Sequence, residues 1–134
     1  MPARPTPVND TPLSLVEVFS SVQGEGVLIG CRQVFIRLAG CNLACSYCDT
    51  PVEAPESCRI ESVSGSGQFH QAANPVSRET ILALVREWRR EAPHLHHSIS
   101  VTGGEPLEQV DGLRSWLPAL REILPIRYND EGFP

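Results

Sequence analysis

Gln33-Val34-Phe35-Ile36-Arg37-Leu38-Ala39-Gly40-Cys41-Asn42-Leu43-Ala44-Cys45-Ser46-Tyr47-Cys48-Asp49-Thr50 joins a short apolar run to three cysteines in Cys-x-x-x-Cys-x-x-Cys spacing. Val34 to Leu38 is rich in Val, Ile and Phe and runs into a glycine, the pattern of a strand in a buried sheet. The cysteines then fall on a loop at the carboxyl end of that strand.

Upstream, Leu15 to Phe19 predicts another short strand, and the loop between the two carries Gln23-Gly24-Glu25-Gly26. Met1 to Pro12 holds four prolines and little apolar content, so residues 1–13 read as a mobile arm. Downstream, Ile81, Leu84, Val85 and Trp88 recur at helical spacing. Ser77 suits the N-cap, Arg86, Arg89 and Arg90 suit the C-terminal end of the dipole, and Pro93 is the stop. Ser98 to Thr102 predicts a strand feeding Gly103-Gly104-Glu105-Pro106, and Val110 to Ile123 a helix that Pro118 must kink or restart. Strands alternating with helices predict a parallel α/β sheet with right-handed crossovers, its ligand sites at the carboxyl ends of the strands. All three glycine-rich or cysteine-rich motifs are expected there. The core is expected over 14–126. The polar stretch at about 50–76 lacks periodicity and reads as an insertion, either a functional lid or poorly ordered.

A chain of 134 residues with 41% hydrophobic content fits one small globular domain. Its apolar runs are too short to cross a bilayer, and the N-terminus lacks a basic-then-apolar segment, so a soluble cytoplasmic protein is expected, without a membrane partner. A net charge of -5 without a cationic block argues against nucleic-acid binding. Five cysteines, three of them within eight residues, favour metal or redox chemistry over a disulfide framework.

Thiolates at relative positions 0, +4 and +7 on a tight loop can converge on three corners of a 4Fe-4S cubane. The fourth corner then needs another ligand. If that ligand is exogenous, a substrate can bind there and accept an electron, and S-adenosylmethionine can do so through its amino and carboxylate groups. Two other readings use the same cysteines. One is a zinc site completed by Cys31, Cys58 or one of His94, His96 and His97; the other is a fully ligated electron-transfer cluster with Cys31 or Cys58 as fourth ligand. Otherwise Cys31 and Cys58 read as ordinary thiols, and the histidines around His96 as a solvated turn. Gly103 and Gly104 let backbone approach a ligand, and Glu105 can accept a hydrogen bond from an ammonium group.

Taken in order, Gln23 to Gly26, Phe35-Ile36-Arg37-Leu38, Cys41 to Cys48 with Asp49-Thr50, and Thr102 to Pro106 resemble the 7-carboxy-7-deazaguanine synthase family of radical S-adenosylmethionine enzymes. The resemblance covers about 15–124. It implies the N-terminal part of a partial (β/α) barrel and a carbon-nitrogen lyase of queuosine and 7-deazapurine biosynthesis. The implied reaction is a radical ring contraction of 6-carboxy-5,6,7,8-tetrahydropterin to 7-carboxy-7-deazaguanine with loss of ammonia. One electron from the cluster cleaves S-adenosylmethionine, and the resulting 5'-deoxyadenosyl radical abstracts a substrate hydrogen. By resemblance, Cys41, Cys45 and Cys48 hold the 4Fe-4S cluster, and Tyr47, Cys48, Asp49, Gly104 and Glu105 line S-adenosylmethionine. Val22, Gln23, Gly24, Glu25, Arg37 and Thr102 match the pterin-binding positions, and Thr50 matches a magnesium ligand. An electron donor such as flavodoxin and a homodimer of the full-length protein are implied too. Read alone, Arg37 can instead pair with Glu17 or Glu25, although a guanidinium suits the substrate carboxylate.

After Leu124-Pro125 the sequence departs from the family pattern. It turns polar over 127–134, an aberrant tail that suggests a truncated or frame-disrupted copy. A glycyl-radical activating enzyme shares the cysteine spacing and is the competing enzymatic reading. A non-enzymatic zinc or iron-sulfur protein is the competing reading of another class.

Overall fold

The computed structural model describes residues 11–39, 55–102 and 110–128, with backbone alone at 110, 111, 127 and 128. The elements run β1 (Leu15–Val22), β2 (Arg32–Leu38), β3 (Ser57–Glu61), β4 (Phe69–Ala73), α1 (Arg78–Glu91), β5 (Ser98–Thr102), α2 (Val110–Arg121) and β6 (Ile126–Tyr128). They build one six-stranded sheet in the order β4-β3-β1-β2-β5-β6.

The sheet is mixed, where alternating elements predicted an all-parallel one. β2, β5 and β6 are parallel, and so are β1 and β3, but β1 runs antiparallel to β2 and β3 antiparallel to β4. The reason is local. Only the short loop 23–31 joins β1 to β2, and a parallel connection needs a crossover of a dozen residues or more. α1 and α2 supply such crossovers from β2 to β5 and from β5 to β6. The antiparallel first pair also moves one motif. Gln23 to Gly26 follows β1 and so lies at the start of β2, whereas the cysteine segment and Gly103 follow the ends of β2 and β5.

Three further expectations change. The polar stretch at about 50–76 contains the β3–β4 hairpin, ordered because Cys58 and Ile60 are buried at 1% exposure and because β3 pairs with β1. The arm expected through residue 13 is anchored before that point: Leu13 is 1% exposed and exchanges backbone hydrogen bonds with Val76 (3.0 and 2.7 Å), and Trp116 Nε1 donates to the Thr11 carbonyl (2.8 Å). Of the polar tail, Arg127 and Tyr128 belong to β6, paired with Ser100 and Val101.

α1 follows the sequence reading. The Ser77 side chain accepts from Thr80 N, and Ile81, Leu82, Val85 and Trp88 are buried. α2 continues through Pro118 as one helix, tolerated because Pro118 is exposed and water can reach the carbonyl left without a partner. Both helices cover the same sheet face. Val18, Val34, Ile36, Leu38, Ile60, Ile99 and Val101 meet Trp88, Leu113, Trp116 and Leu120 in a single core.

Candidate functional site

Strand alternation makes the other sheet face polar. On β2, Gln33, Phe35 and Arg37 alternate with core-facing Val34, Ile36 and Leu38. Register places Ser98, Ser100 and Thr102 of β5 beside them, and Ser21, Phe19 and Glu17 of β1 on the other side. Among the described residues no helix covers this face, yet Gln33, Phe35, Ser98 and Ser100 are buried. Phe19 and Phe35 stack at its centre, ring centroids 5.1 Å apart.

Two polar groups flank that aromatic floor. Toward the end of β2, Arg37 Nη1 donates to Glu17 Oε1 at 2.8 Å, while Arg59 Nη1 lies 3.6 Å from Glu17 Oε2. Arg59 also sits over the Phe69 ring, 4.1 Å from its centroid. Glu17 thus lies between two guanidinium groups, and Thr102 pairs with Arg37 in the β2–β5 register. The Ser100 hydroxyl on the same row is buried without a hydrogen-bond partner. Toward the start of β2, Gln23 Nε2 donates to Gln33 Oε1 and Gln33 Nε2 to Ser98 Oγ, both at 2.8 Å. Gln23 Oε1 in turn accepts from the backbone N–H groups of Gly24 (3.1 Å) and Glu25 (3.4 Å). The buried glutamine therefore shapes the loop.

The residues carried over for substrate binding are thus divided. Arg37 and Thr102 share one end of the open face. Gln23 lies at the other end, with Val22, Gly24 and Glu25 exposed around it. A Cβ at Gly24 would meet open space, so no packing demands glycine there; Gly26, at φ 77°, does need it. Cys41, Cys45, Cys48, Tyr47, Asp49, Thr50, Gly104 and Glu105 lie outside the described residues. Arg59 escaped the sequence reading because its stretch showed no strand pattern. Glu17 was legible only as one of two possible partners of Arg37.

The cysteine segment follows directly on Ala39 at the carboxyl end of β2, and the described structure narrows what can complete a metal site there. Cys31 precedes β2 at its opposite end, a strand length of about 23 Å away. Cys58 is 1% exposed in the core, where burial raises its thiol pKa and disfavours the thiolate that a metal needs. His94, His96 and His97 precede β5, level with the start of β2. His96 is not in a solvated turn as expected. It is 6% exposed, stacks on Trp88 and shares a 2.7 Å hydrogen bond with Ser20 Oγ, while His94 and His97 are exposed. Among the described residues no group of three potential ligands could hold a metal ion. Three thiols with no fourth protein ligand evident among the described residues suit an open-cornered iron-sulfur cluster.

The sequence profile of the Radical SAM superfamily matches residues 35–133, so this chain belongs to that superfamily, whose enzymes use a 4Fe-4S cluster and S-adenosylmethionine. Within it, the chain is 59% identical over 119 residues to 7-carboxy-7-deazaguanine synthase of Geobacter sulfurreducens, covering 88% of this chain and 48% of the relative. It is 50% identical over 93 residues to the enzyme of that name from Methanothermobacter thermautotrophicus, covering 69% of this chain and 31% of that one. The crystal structure of QueE from Escherichia coli superposes with a TM-score of 0.51 at 23% identity, over 87% of this chain and 50% of that chain. The fold is therefore the α/β N-terminal part of a partial barrel, and the chain spans half or less of the length of these relatives. No described helix is long and apolar enough to cross a membrane.

Proposed function

We propose that this chain carries the cluster-binding half of a 7-carboxy-7-deazaguanine synthase, a carbon-nitrogen lyase that contracts 6-carboxy-5,6,7,8-tetrahydropterin in queuosine and 7-deazapurine biosynthesis. The observation that carries the reading is the polar face of the sheet, exposed at Arg37 and buried at Gln33, Phe35 and Ser100. It offers an arginine at one end, an amide at the other and an aromatic floor between them, next to the strand that leads into the cysteines. The Cα atoms of Gln33 and Arg37 are about 13 Å apart on an extended strand. A carboxylated bicycle with a hydrogen bond at each end fills that span.

In this reading Arg37 takes the substrate carboxylate through the guanidinium edge that Glu17 leaves free. Thr102 adds a hydroxyl beside it, and Gln23 and Glu25 meet the ring amide edge. Cys41, Cys45 and Cys48 hold the 4Fe-4S cluster, and Tyr47, Cys48, Asp49, Gly104 and Glu105 receive S-adenosylmethionine. Once bound, the pair supplies one electron and a hydrogen-abstracting radical. Thr50 would contribute an oxygen to a magnesium ion. The protein acts in the cytoplasm as a homodimer, reduced by a small electron-transfer protein such as flavodoxin.

The test is anaerobic reconstitution followed by assay with S-adenosylmethionine, reductant and the carboxypterin. It is run on this chain and on the chain extended by the complementary half of the Geobacter relative. Product from either supports the reading. 5'-Deoxyadenosine without pterin turnover in the extended protein redirects it to a radical enzyme with another substrate, such as a glycyl-radical activase. Absence of 5'-deoxyadenosine from a loaded extended protein refutes it.

A further inference from the structure

On the opposite side of the sheet the two helices leave a groove whose chemistry the pterin reaction does not use. Arg78, Arg86, Arg89, Arg90, Arg114 and Arg121, six of the eleven cationic side chains of an acidic chain, lie on α1 and α2. Both helices return from the carboxyl ends of parallel strands, so they run side by side in the same direction. The i, i+4 rows Arg78-Leu82-Arg86 and Arg114-Pro118-Glu122 face each other across a hollow of about 490 Å³. A second hollow, with Arg86, Arg89 and Arg90 on its wall, continues the groove toward the helix C-termini.

The first hollow has the features of a built site. Ser115, 7% exposed, is among the residues around it, its hydroxyl is buried just beneath with no hydrogen-bond partner, and the buried Arg78 Nε–H is likewise unpartnered. A buried donor left unmatched is costly and uncommon. Here two occur, Arg78 on α1 and Ser115 on α2. Arg78 Nη2 donates to the exposed Glu79 Oε1 at 3.1 Å, so one of the two groove carboxylates is already paired. Arg86 and Arg114 have no ion-pair partner among the described residues, so their forks are available. The other carboxylate, Glu122, lies at the far end of this hollow, one helical turn beyond Pro118. Fixed N–H and O–H donors around a cationic pocket select an acceptor-only, negatively charged group.

We propose that this groove binds an oxyanion, a phosphate or carboxylate group on a small acidic ligand, held by Arg78, Arg86, Arg114 and the Ser115 hydroxyl. The site lies across the sheet from the polar face, apart from the residues proposed for the pterin.

Thermal unfolding of the chain is followed against inorganic phosphate and, separately, succinate, with sodium chloride at matched ionic strength as control. Stabilisation that saturates with one or both oxyanions and exceeds the chloride effect is expected, and the more effective probe identifies the ligand class. In the exposed double variant Arg86→Gln/Arg114→Gln, the concentration giving half the effect should rise at least about tenfold, as loss of one charge-assisted contact implies. Ser115→Ala should weaken binding several-fold while leaving the ligand-free protein as stable or more so. Equal shifts with chloride, or unchanged saturation in the double variant, overturn the proposal.

Discussion

Glu17 and Arg37 occupy directly opposed positions of β1 and β2, and Glu17 Oε1 accepts from Arg37 Nη1 at 2.8 Å. Arg37 is 46% exposed and Glu17 15%, so the pair adds little to stability, of the order of 1 kcal/mol or less. What it fixes is direction. Without the carboxylate the guanidinium is free to leave the polar face. Glu17→Gln should therefore leave the unfolding free energy within about 1 kcal/mol of wild type while weakening carboxypterin binding by about tenfold. Glu17→Asp should restore part of the loss. Equilibrium fluorescence titration of the pterin against each variant measures this, and equal affinities would remove Arg37's orientation from the argument.

Gly112 lies where α2 crosses the anchored N-terminal segment. A Cβ added there would collide with the buried Leu13 side chain, whose far side is core. In an open helix interior, glycine to alanine gains up to about 1 kcal/mol. Here overpacking should reverse the sign, with Gly112→Ala destabilising by about 1–3 kcal/mol in urea denaturation. Leu13→Ala alone should cost about 2–5 kcal/mol. Because Leu13→Ala vacates the space that the methyl added by Gly112→Ala needs, the double variant should be more stable than the sum of the two losses predicts, whereas strict additivity would mean the two residues do not touch.

Much of this was legible in the sequence where a physical period was strong. The helical repeat Ile81, Val85, Trp88, the Ser77 cap and the apolar run Val34 to Leu38 all appear as read, because each is fixed by local chemistry. Strand direction was not legible. The loop 23–31 has a length compatible with a hairpin, but periodicity carries no direction, so the Gln23 motif was expected at the wrong end of the sheet. β3 and β4 were missed because short strands with one polar face, such as Ser57-Cys58-Arg59-Ile60-Glu61, present only two buried side chains before Glu61. Glu61 itself looks like a surface residue. It is 3% exposed and accepts from the backbone N–H groups of Ser20, Gly65 and Gly67, partners 41, 4 and 6 positions away. No local pattern announces the first of these.

Placement of the two remaining thiols bears on the proposed assignment of iron to Cys41, Cys45 and Cys48. Cys58 packs in the core and Cys31 lies at the far end of β2, so Cys31→Ser and Cys58→Ala should both retain iron and sulfide after anaerobic reconstitution. Cys41→Ser, Cys45→Ser and Cys48→Ser should each lose the cluster absorbance. Cys58→Ala should also lower stability by about 1 kcal/mol for the small cavity it leaves. Loss of iron from folded Cys31→Ser or Cys58→Ala protein would restore the reading of a fully ligated cluster.

His96 makes stability depend on pH. Burial lowers its pKa from the ordinary 6.5, Arg32 lowers it further, and Glu61 opposes them. Arg32 Nη1 donates to the same Ser20 Oγ that meets His96 Nε2, so a second positive charge on the ring is disfavoured. In the folded chain the ring therefore stays neutral at pH values where the unfolded chain has already protonated it. As pH falls through 6.5 the unfolded state binds more protons, and stability must fall until the folded pKa is passed. The slope from this one group is no steeper than about 1.4 kcal/mol per pH unit. His96→Phe keeps a ring on Trp88 but cannot titrate, so its stability should change less between pH 7.5 and about 5.5 than that of wild type, even though losing the Ser20 contact lowers it at every pH. Urea denaturation of both proteins across this range measures the difference, and parallel curves would show that His96 is not the titrating group.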